Sequence, residues 1–265
     1  MPKQTVFLVG ATGETGGSIL NALIEDGSFV CSLPFSPCRH QTSHADNTCK
    51  DITCFIRRIS APKPSTENLK ALGLKVVTGD LSDPISTLAS LLVGIDTVIS
   101  VLFPLYIHEQ IPLVDAAVLA GVRRFVPCNF TTPCPRGGIF SLRDAKELVH
   151  DHIFRARMGF TIIDVGYWYQ STFPRVPSGR FDYAAFMPIN SLYAGGTARN
   201  MITDKMDVGK TTVLCIKDDR TLNKRVYAYG EVLSQNDIIA IVEKKCGEKL
   251  EMTPVRAPLF LTGSV

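Results

Sequence analysis

Gly10, Gly13 and Gly16 stand three residues apart in TVFLVGATGETGG, directly after the apolar run Val6–Val9 and before a segment that places Ile19, Leu20 and Leu23 on one helical face. A strand that turns on glycines into a helix N-terminus is an arrangement suited to a pyrophosphate. Gly10 permits the tight turn, Gly13 lets a phosphate approach bare backbone, and Gly16 lets the helix lie close to the strand. The helix N-terminus adds N–H groups and partial positive charge. Gly10, Thr12, Gly13, Glu14, Thr15 and Gly16 are therefore candidate dinucleotide-binding residues. The spacing is GxxGxxG rather than GxGxxG, so the strand–turn–helix context carries the inference and the pattern alone does not.

A second candidate is Arg57, with Arg58 beside it, at the end of the apolar run Asp51–Ile56. The residue after the second strand of a dinucleotide fold chooses the cofactor. A carboxylate there accepts the ribose 2′-hydroxyl, whereas a guanidinium pairs with a 2′-phosphate. Between the first helix and this strand lies Val30–Lys50, which has neither helical nor strand period. A structureless loop of about twenty residues inside a compact α/β unit argues against itself. We read it as translated intron: Val30-Cys31 can be encoded GTATGT, a donor-like sequence, and an AAG codon for Lys50 supplies a terminal AG. Its removal leaves a short connection and sets Arg57 about 26 positions after Gly10, near the usual distance of about 20 for the ribose-recognition residue. Cys31, Cys38, His40, His44 and Cys49 miss the spacing of zinc sites, which open with two cysteines two to four apart, and no metal is expected.

Composition bounds the rest. Hydrophobic content of 45% with 20% charged residues describes an ordinary globular protein. The net charge of +3 comes without a basic block, which argues against nucleic acid as the main partner. No apolar stretch reaches the roughly 18 residues of a membrane-spanning helix, and the N-terminus does not read as a signal peptide. The expectation is a cytoplasmic protein, without membrane partners, whose eight cysteines are reduced.

The elements that must position these residues alternate regularly. Strands are expected at Asp51–Ile56, in LKVVTGDL, IDTVISVLF, VRRFVP and FTIIDVG. Helices are expected at Pro64–Leu72 (with Ser65 or Thr66 near Glu67 as a cap), Ser86–Leu92, Glu109–Ala120 and Leu142–Arg157. This alternation predicts an α/β fold, a Rossmann-like doubly wound parallel sheet, over 1–165. Beyond Gly166 the aromatic run Tyr167-Trp168-Tyr169, recurrent Pro and Gly, a strand around Thr212–Ile216 and a helix at Gln235–Cys246 predict a smaller substrate-side region, 166–265. Val255-Arg256 can be encoded GTAAGN, so the tail after about Pro254 is also read as intron, and the native C-terminal helices are expected to be missing.

GATGETGG, Arg57-Arg58, GDLSDP, VISVL, GVRRFVPCNF, DAKELVHDHI and DVGYWYQ together resemble the NmrA-like, isoflavone-reductase-like family of atypical short-chain dehydrogenases/reductases. The likeness covers nearly all of Pro2–Pro254 apart from Val30–Lys50. It implies NADP(H), with the phosphates over Thr12–Gly16, the 2′-phosphate at Arg57, the adenine near Asp80 and Leu81, and an active-site lysine at Lys146. Asn129 and Phe130, at the end of the fifth strand, are placed to line the nicotinamide pocket. The Tyr-x-x-x-Lys pair of ordinary short-chain enzymes is absent, so Lys146 is the candidate proton donor.

His150 shares the helical face of Lys146 and is expected to be structural or capping; His152 does not share it. Cys128 and Cys134 read as small apolar fillers, and Tyr167-Trp168-Tyr169 as either a stacking surface for an aromatic substrate or a core cluster. The activity implied is NADPH-dependent reduction of a small aromatic or phenolic metabolite. The alternatives are a dinucleotide-sensing regulator read by a protein partner, without turnover, and a non-functional splice product.

Overall fold

The structure is a computed structural model that describes residues 4–29, 49–186 and 190–255. Of the intron readings, 30–48 and 256–265 lie outside the described residues, as does most of the Cys/His cluster, whereas Cys49 and Lys50, expected to belong to the unstructured segment, open the second strand, and Val255 ends the last one. The first elements in chain order are β1 (Val6–Val9), α1 (Glu14–Asp26), β2 (Cys49–Arg57), α2 (Pro64–Ala71), β3 (Leu74–Gly79) and α3 (Ile85–Leu91). There follow β4 (Thr97–Ser100), α4 (Gln110–Leu119), β5 (Arg124–Val126), α5 (Ser141–Arg155) and β6 (Thr161–Asp164).

Five strands form one parallel sheet in the order β3-β2-β1-β4-β5. Val6–Val9 lies in register with Ile52–Phe55 on one side and Thr97–Ser100 on the other. Every residue of β1 and β4 is buried, which is why both read as continuous apolar runs rather than alternating ones. Phe7, Val9, Phe55, Val98 and Phe125 form one sheet face, packed against Leu88, Leu113, Val114 and Ile153 from the helices. Each such side chain contributes roughly 1.5–3 kcal/mol by leaving water. The sixth strand joins the edge through one parallel bridge, Phe125 to Phe160, and Phe130 N donates to Ile163 O at 3.0 Å. The chain reverses its direction of winding between β1 and β4, the crevice where open sheets of this kind bind ligands.

Two compact units divide the chain: Met1–Asp164 with Met206–Val226, and Val165–Lys205 with Tyr227–Val265. The first unit includes most of a helix where a strand is expected. Thr212–Ile216 belongs to α7 (Lys205–Lys217), the elements between being β7 (Tyr167–Trp168), α6 (Tyr169–Thr172), β8 (Ser191–Tyr193) and β9 (Arg199–Thr203). The β-branched run Thr211-Thr212-Val213 suggests a strand, but Val208, Gly209, Thr212, Val213 and Ile216 are buried at helical spacing and tertiary packing overrides the local preference. The Ser18 hydroxyl on α1 donates to Met206 O at 3.2 Å and accepts from Gly209 N at 3.1 Å. A Cβ at Gly209 would lie 2.1 Å from Ser18 O, so α7 rests on α1 at backbone distance. A second correction concerns α2, whose N-cap is Lys63 with no side-chain bond. Neither Ser65 nor Thr66 caps it; the Thr66 hydroxyl donates back to Ser60 O at 2.8 Å.

The second unit also contains β11 (Glu231–Ser234), α8 (Gln235–Cys246) and β12 (Thr253–Val255), which follow β10 (Lys224–Tyr227). In it β9 pairs with β7 in parallel and with β11 antiparallel. Its small core is Val176, Ile202, Ile238, Val242 and Cys246. A reciprocal Ser234–Asp237 capping box starts α8. Trp168 meets the Phe186 ring edge-on at 5.7 Å, and Tyr169 lies 6.3 Å from Phe173 with its hydroxyl donating to Glu231 at 2.7 Å. Tyr167 is exposed. Among the described residues, no helix is long and apolar enough to cross a membrane, and no His/Cys/Asp/Glu group could hold a metal ion.

Candidate active site

The glycine turn is closed by Gly13 N donating to Gly10 O at 3.0 Å. Gly10 has φ +83°, and a Cβ there would lie 2.0 Å from Val101 O at the end of β4. At Gly16 a Cβ would lie 1.9 Å from Gly10 O. Both positions are glycine because the chain's own backbone fills the space. Gly13 differs: φ is −87° and the nearest atom to a Cβ is Gly10 O at an ordinary 3.5 Å. Nothing among the described residues demands glycine there, and the space a side chain would take lies at the N-terminus of α1, where an anion fits. Thr12, Gly13 and Glu14 are exposed around this turn, while Thr15 and Gly16 are buried under it.

At the end of β2 the two arginines part company. The exposed Arg57 sets its guanidinium over the Tyr106 ring, 5.5 Å from the centroid. Arg58 instead turns to the loop after β3, bonding Asp80 at 2.7 Å and Asp83 at 2.7 and 2.8 Å. The Arg58 side-chain bonds hold the Asp83 carboxyl below its ordinary range. Leu81 is buried within the core cluster, so its backbone rather than its side chain is available to a ligand.

Lys146 is buried on α5, and its amine donates to Cys128 O at 2.8 Å and Asn129 O at 2.6 Å, just beyond β5. Burial pushes its pKa below that of an ordinary lysine. The Asn129 amide donates to Ile163 O at 2.9 Å and to Asp164 at 2.6 Å. Phe130 is buried with φ +33°, a backbone conformation of the kind found where a site over-determines its geometry. The Cys128 thiol points at Leu102 O, 3.4 Å away, inside the fold. His150 is fully buried, with Nδ1 3.3 Å from the Glu147 carboxylate, whereas His152 reaches Asp115 on α4 at 2.7 Å.

Sequence reasoning did not single out the ionic cluster around this lysine. Arg143 is fully buried, with Nη1 2.5 Å from Asp164 and Nε 2.7 Å from Glu147. Arg225 on β10 reaches Glu147 at 3.2 Å and Asp164 at 3.4 Å. The signal in the sequence is a stripe of charge at helical spacing, Arg143, Lys146, Glu147 and His150, on the face of α5 that also carries Val149 and Ile153.

A family model for the NmrA-like family matches residues 2–262. The chain belongs to the NmrA-like family. This NmrA-like chain is 37% identical over 245 residues to asnovolin J 5′,6′-dehydrogenase of Aspergillus novofumigatus, covering 92% of its own length and 69% of that protein. It is 28% identical to pinoresinol reductase 1 of Arabidopsis thaliana, over 98% of this chain and 80% of that one. A solved leucoanthocyanidin reductase–NADPH complex from Vitis vinifera shares the fold, with a TM-score of 0.72 at 22% identity, covering 95% of this chain and 78% of the other.

In this member of the NmrA-like family the exposed part of the glycine turn is set by β1 and α1, and the lysine by β5 and α5. An ammonium has three N–H donors; carbonyls of Cys128 and Asn129 take two. The third can serve an oxygen of a bound molecule.

Proposed function

We propose that this chain binds NADP(H) and reduces a small aromatic or phenolic metabolite. The observation that carries the reading is Lys146, a buried amine fixed by two backbone carbonyls at the carboxyl end of a sheet strand. A lysine solvated on a helix surface would have neither the burial nor the partners. NADPH supplies the hydride when bound, and the chain's residues hold and orient it. The backbone around Thr12–Gly16 receives the phosphates, and Arg57 pairs with the 2′-phosphate. Arg58 is committed to Asp80 and Asp83, so it orders the loop beneath the adenine. Lys146 gives a proton to the oxygen on which negative charge develops, while Asn129 and Phe130 border the nicotinamide end. The relatives named as a dehydrogenase and a reductase support hydride transfer.

The test is calorimetric titration with NADPH and NADH, followed by single-turnover NADPH oxidation against a panel of aromatic and phenolic compounds. Preferential binding of NADPH and its oxidation only with a competent compound are expected. Failure to bind NADPH overturns the reading. Tight NADPH binding with no oxidation across the panel transfers it to a dinucleotide-sensing regulator.

A further inference from the structure

Two charged side chains act on Lys146, Arg143 on its own helix and Asp164 on β6, and Glu147 and His150 on α5 with Arg225 on β10 complete the cluster of ionising groups around that pair. Cys128, after β5, offers the amine its carbonyl, while its thiol points at Leu102 O. The carboxylates that could neutralise the lysine are already taken. Asp164 Oδ1 accepts from Arg143 at 2.5 Å and from Asn129 at 2.6 Å, and its other oxygen faces Arg225 at 3.4 Å. Glu147 is held by Arg143 at 2.6 Å, by Arg225 at 3.2 Å and by Arg136 at 3.1 Å. No ion pair to Lys146 occurs among the described residues, although the lysine is as buried as its neighbours.

We propose that the Arg143–Asp164 ion pair is a positioning device for Lys146: by occupying the Asp164 carboxylate it denies the amine a counter-ion and leaves it on two backbone carbonyls, ready to give up a proton. The pair acts at both ends of that arrangement. Asp164 also fixes the Asn129 side chain, and the Asn129 carbonyl is one of the two acceptors of the amine. Arg143 therefore sets where the lysine sits and withholds the charge that would hold its proton. Burial already lowers the proton affinity of Lys146; Cys128 opposes this, Arg143 lowers it further, and Asp164 opposes. A buried ion pair is a poor source of stability compared with apolar packing, so the pair's chief effect here is on its neighbour. The inference rests on Lys146 as proton donor in the proposed reductase.

The experiment is an NMR titration of Lys146 in the whole chain labelled with [ε-13C]lysine, the resonance being assigned by its loss in Lys146→Met. It requires neither cofactor nor substrate. Arg143→Gln removes the cation that offsets Asp164 and should raise the proton affinity of Lys146 by about tenfold or more, one unit on the pH axis. Asp164→Asn should lower it. The double variant Arg143→Gln/Asp164→Asn removes both charges and should titrate within about threefold of the parent in proton affinity. Single variants that move the titration in the same direction, or not at all, overturn the proposal. If neither single variant folds, the double variant decides, and a tenfold displacement of Lys146 in it overturns the proposal equally. Absence of NADPH oxidation by the parent chain would instead sink the reductase reading and leave the titration result standing.

Discussion

Arg58 grips Asp83 with both ends of its guanidinium, Nη1 to Oδ1 at 2.8 Å and Nη2 to Oδ2 at 2.7 Å. The pair is exposed on the arginine side, so its worth to stability is small. Its effect is directional. It turns one of two adjacent arginines toward the loop after β3, while the other lies over Tyr106.

Cofactor choice should therefore follow Arg57 and not Arg58. Arg57→Asp should remove the proposed charge-assisted bond to the 2′-phosphate, worth roughly 1.5–3 kcal/mol, which is on the order of a tenfold to hundredfold loss of NADPH affinity. NADH affinity should hardly change. Arg58→Ala should alter both cofactors alike and weakly. Calorimetric titration of the two variants with each dinucleotide checks this, and an equal loss of both cofactors in Arg57→Asp would assign the residue to the fold.

The three glycines of the turn should separate into two classes. Gly16→Ala places a methyl 1.9 Å from Gly10 O, so helix and strand must part, at a cost of about 1–3 kcal/mol or more. Gly13→Ala meets nothing closer than 3.5 Å and should leave stability within about 0.5 kcal/mol, yet weaken NADPH binding because the methyl stands where phosphate approaches. Urea unfolding paired with calorimetry distinguishes the two effects. Parent-like NADPH affinity in Gly13→Ala would place the phosphates elsewhere.

The sheet was legible because β1, β2, β4 and the glycine turn carry their signals locally, as apolar runs with turn residues at their ends. The helix α7 was not, because Thr211-Thr212-Val213 has the local preference of a strand, and tertiary packing, with Val208, Thr212 and Ile216 buried at helical spacing and Gly209 against Ser18, resolves it. The capping of α2 was misjudged for a related reason: Thr66 spends its hydroxyl on Ser60 O, and a helix that starts at Pro64 needs one fewer N–H satisfied. At the candidate site, Lys146 stood out through family likeness rather than its own spacing. Its environment depends on Asp164 and Arg225, distant in sequence, and a stripe of charges on α5 does not say which strand will answer it.

Stability should fall on mild acidification because of His150. The ring is fully buried, its Nε2 has no hydrogen-bond partner among the described residues, and burial lowers its pKa from the ordinary 6.5. Below that value the unfolded chain binds a proton that the folded chain refuses, so unfolding free energy falls with decreasing pH. The loss begins as pH drops through 6.5 and continues down to the folded pKa, with a limiting slope of about 1.4 kcal/mol per pH unit. His150→Leu should flatten this slope without the same dependence reappearing. Urea midpoints measured at about pH 7 and about pH 5 give the comparison; identical slopes in both proteins would clear His150 of the effect.

Lys146→Ala separates enzyme from sensor. In a reductase the substrate oxygen gathers negative charge as hydride arrives, and the amine beyond β5 is the group placed to neutralise it. Its loss should lower turnover by roughly the 10²–10⁴-fold that a positioned acid contributes. NADPH affinity should survive, since the proposed phosphate contacts, the backbone of the glycine turn and Arg57, are separate from α5 in the chain. The pH dependence adds a signature: only the protonated amine can donate, and burial makes Lys146 release its proton below the ordinary 10.5. Turnover should therefore decline on the alkaline side at a lower pH than an exposed lysine would impose, and that limb should vanish in the variant. In a sensor the same substitution leaves the measurable function, dinucleotide binding, as it was and has no turnover to remove. Single-turnover NADPH oxidation across pH, with calorimetry on the same preparations, reads both quantities. If NADPH binds and is oxidised by a competent substrate at the parent rate in Lys146→Ala, the proton comes from another group and the buried amine serves only to join α5 to the end of β5.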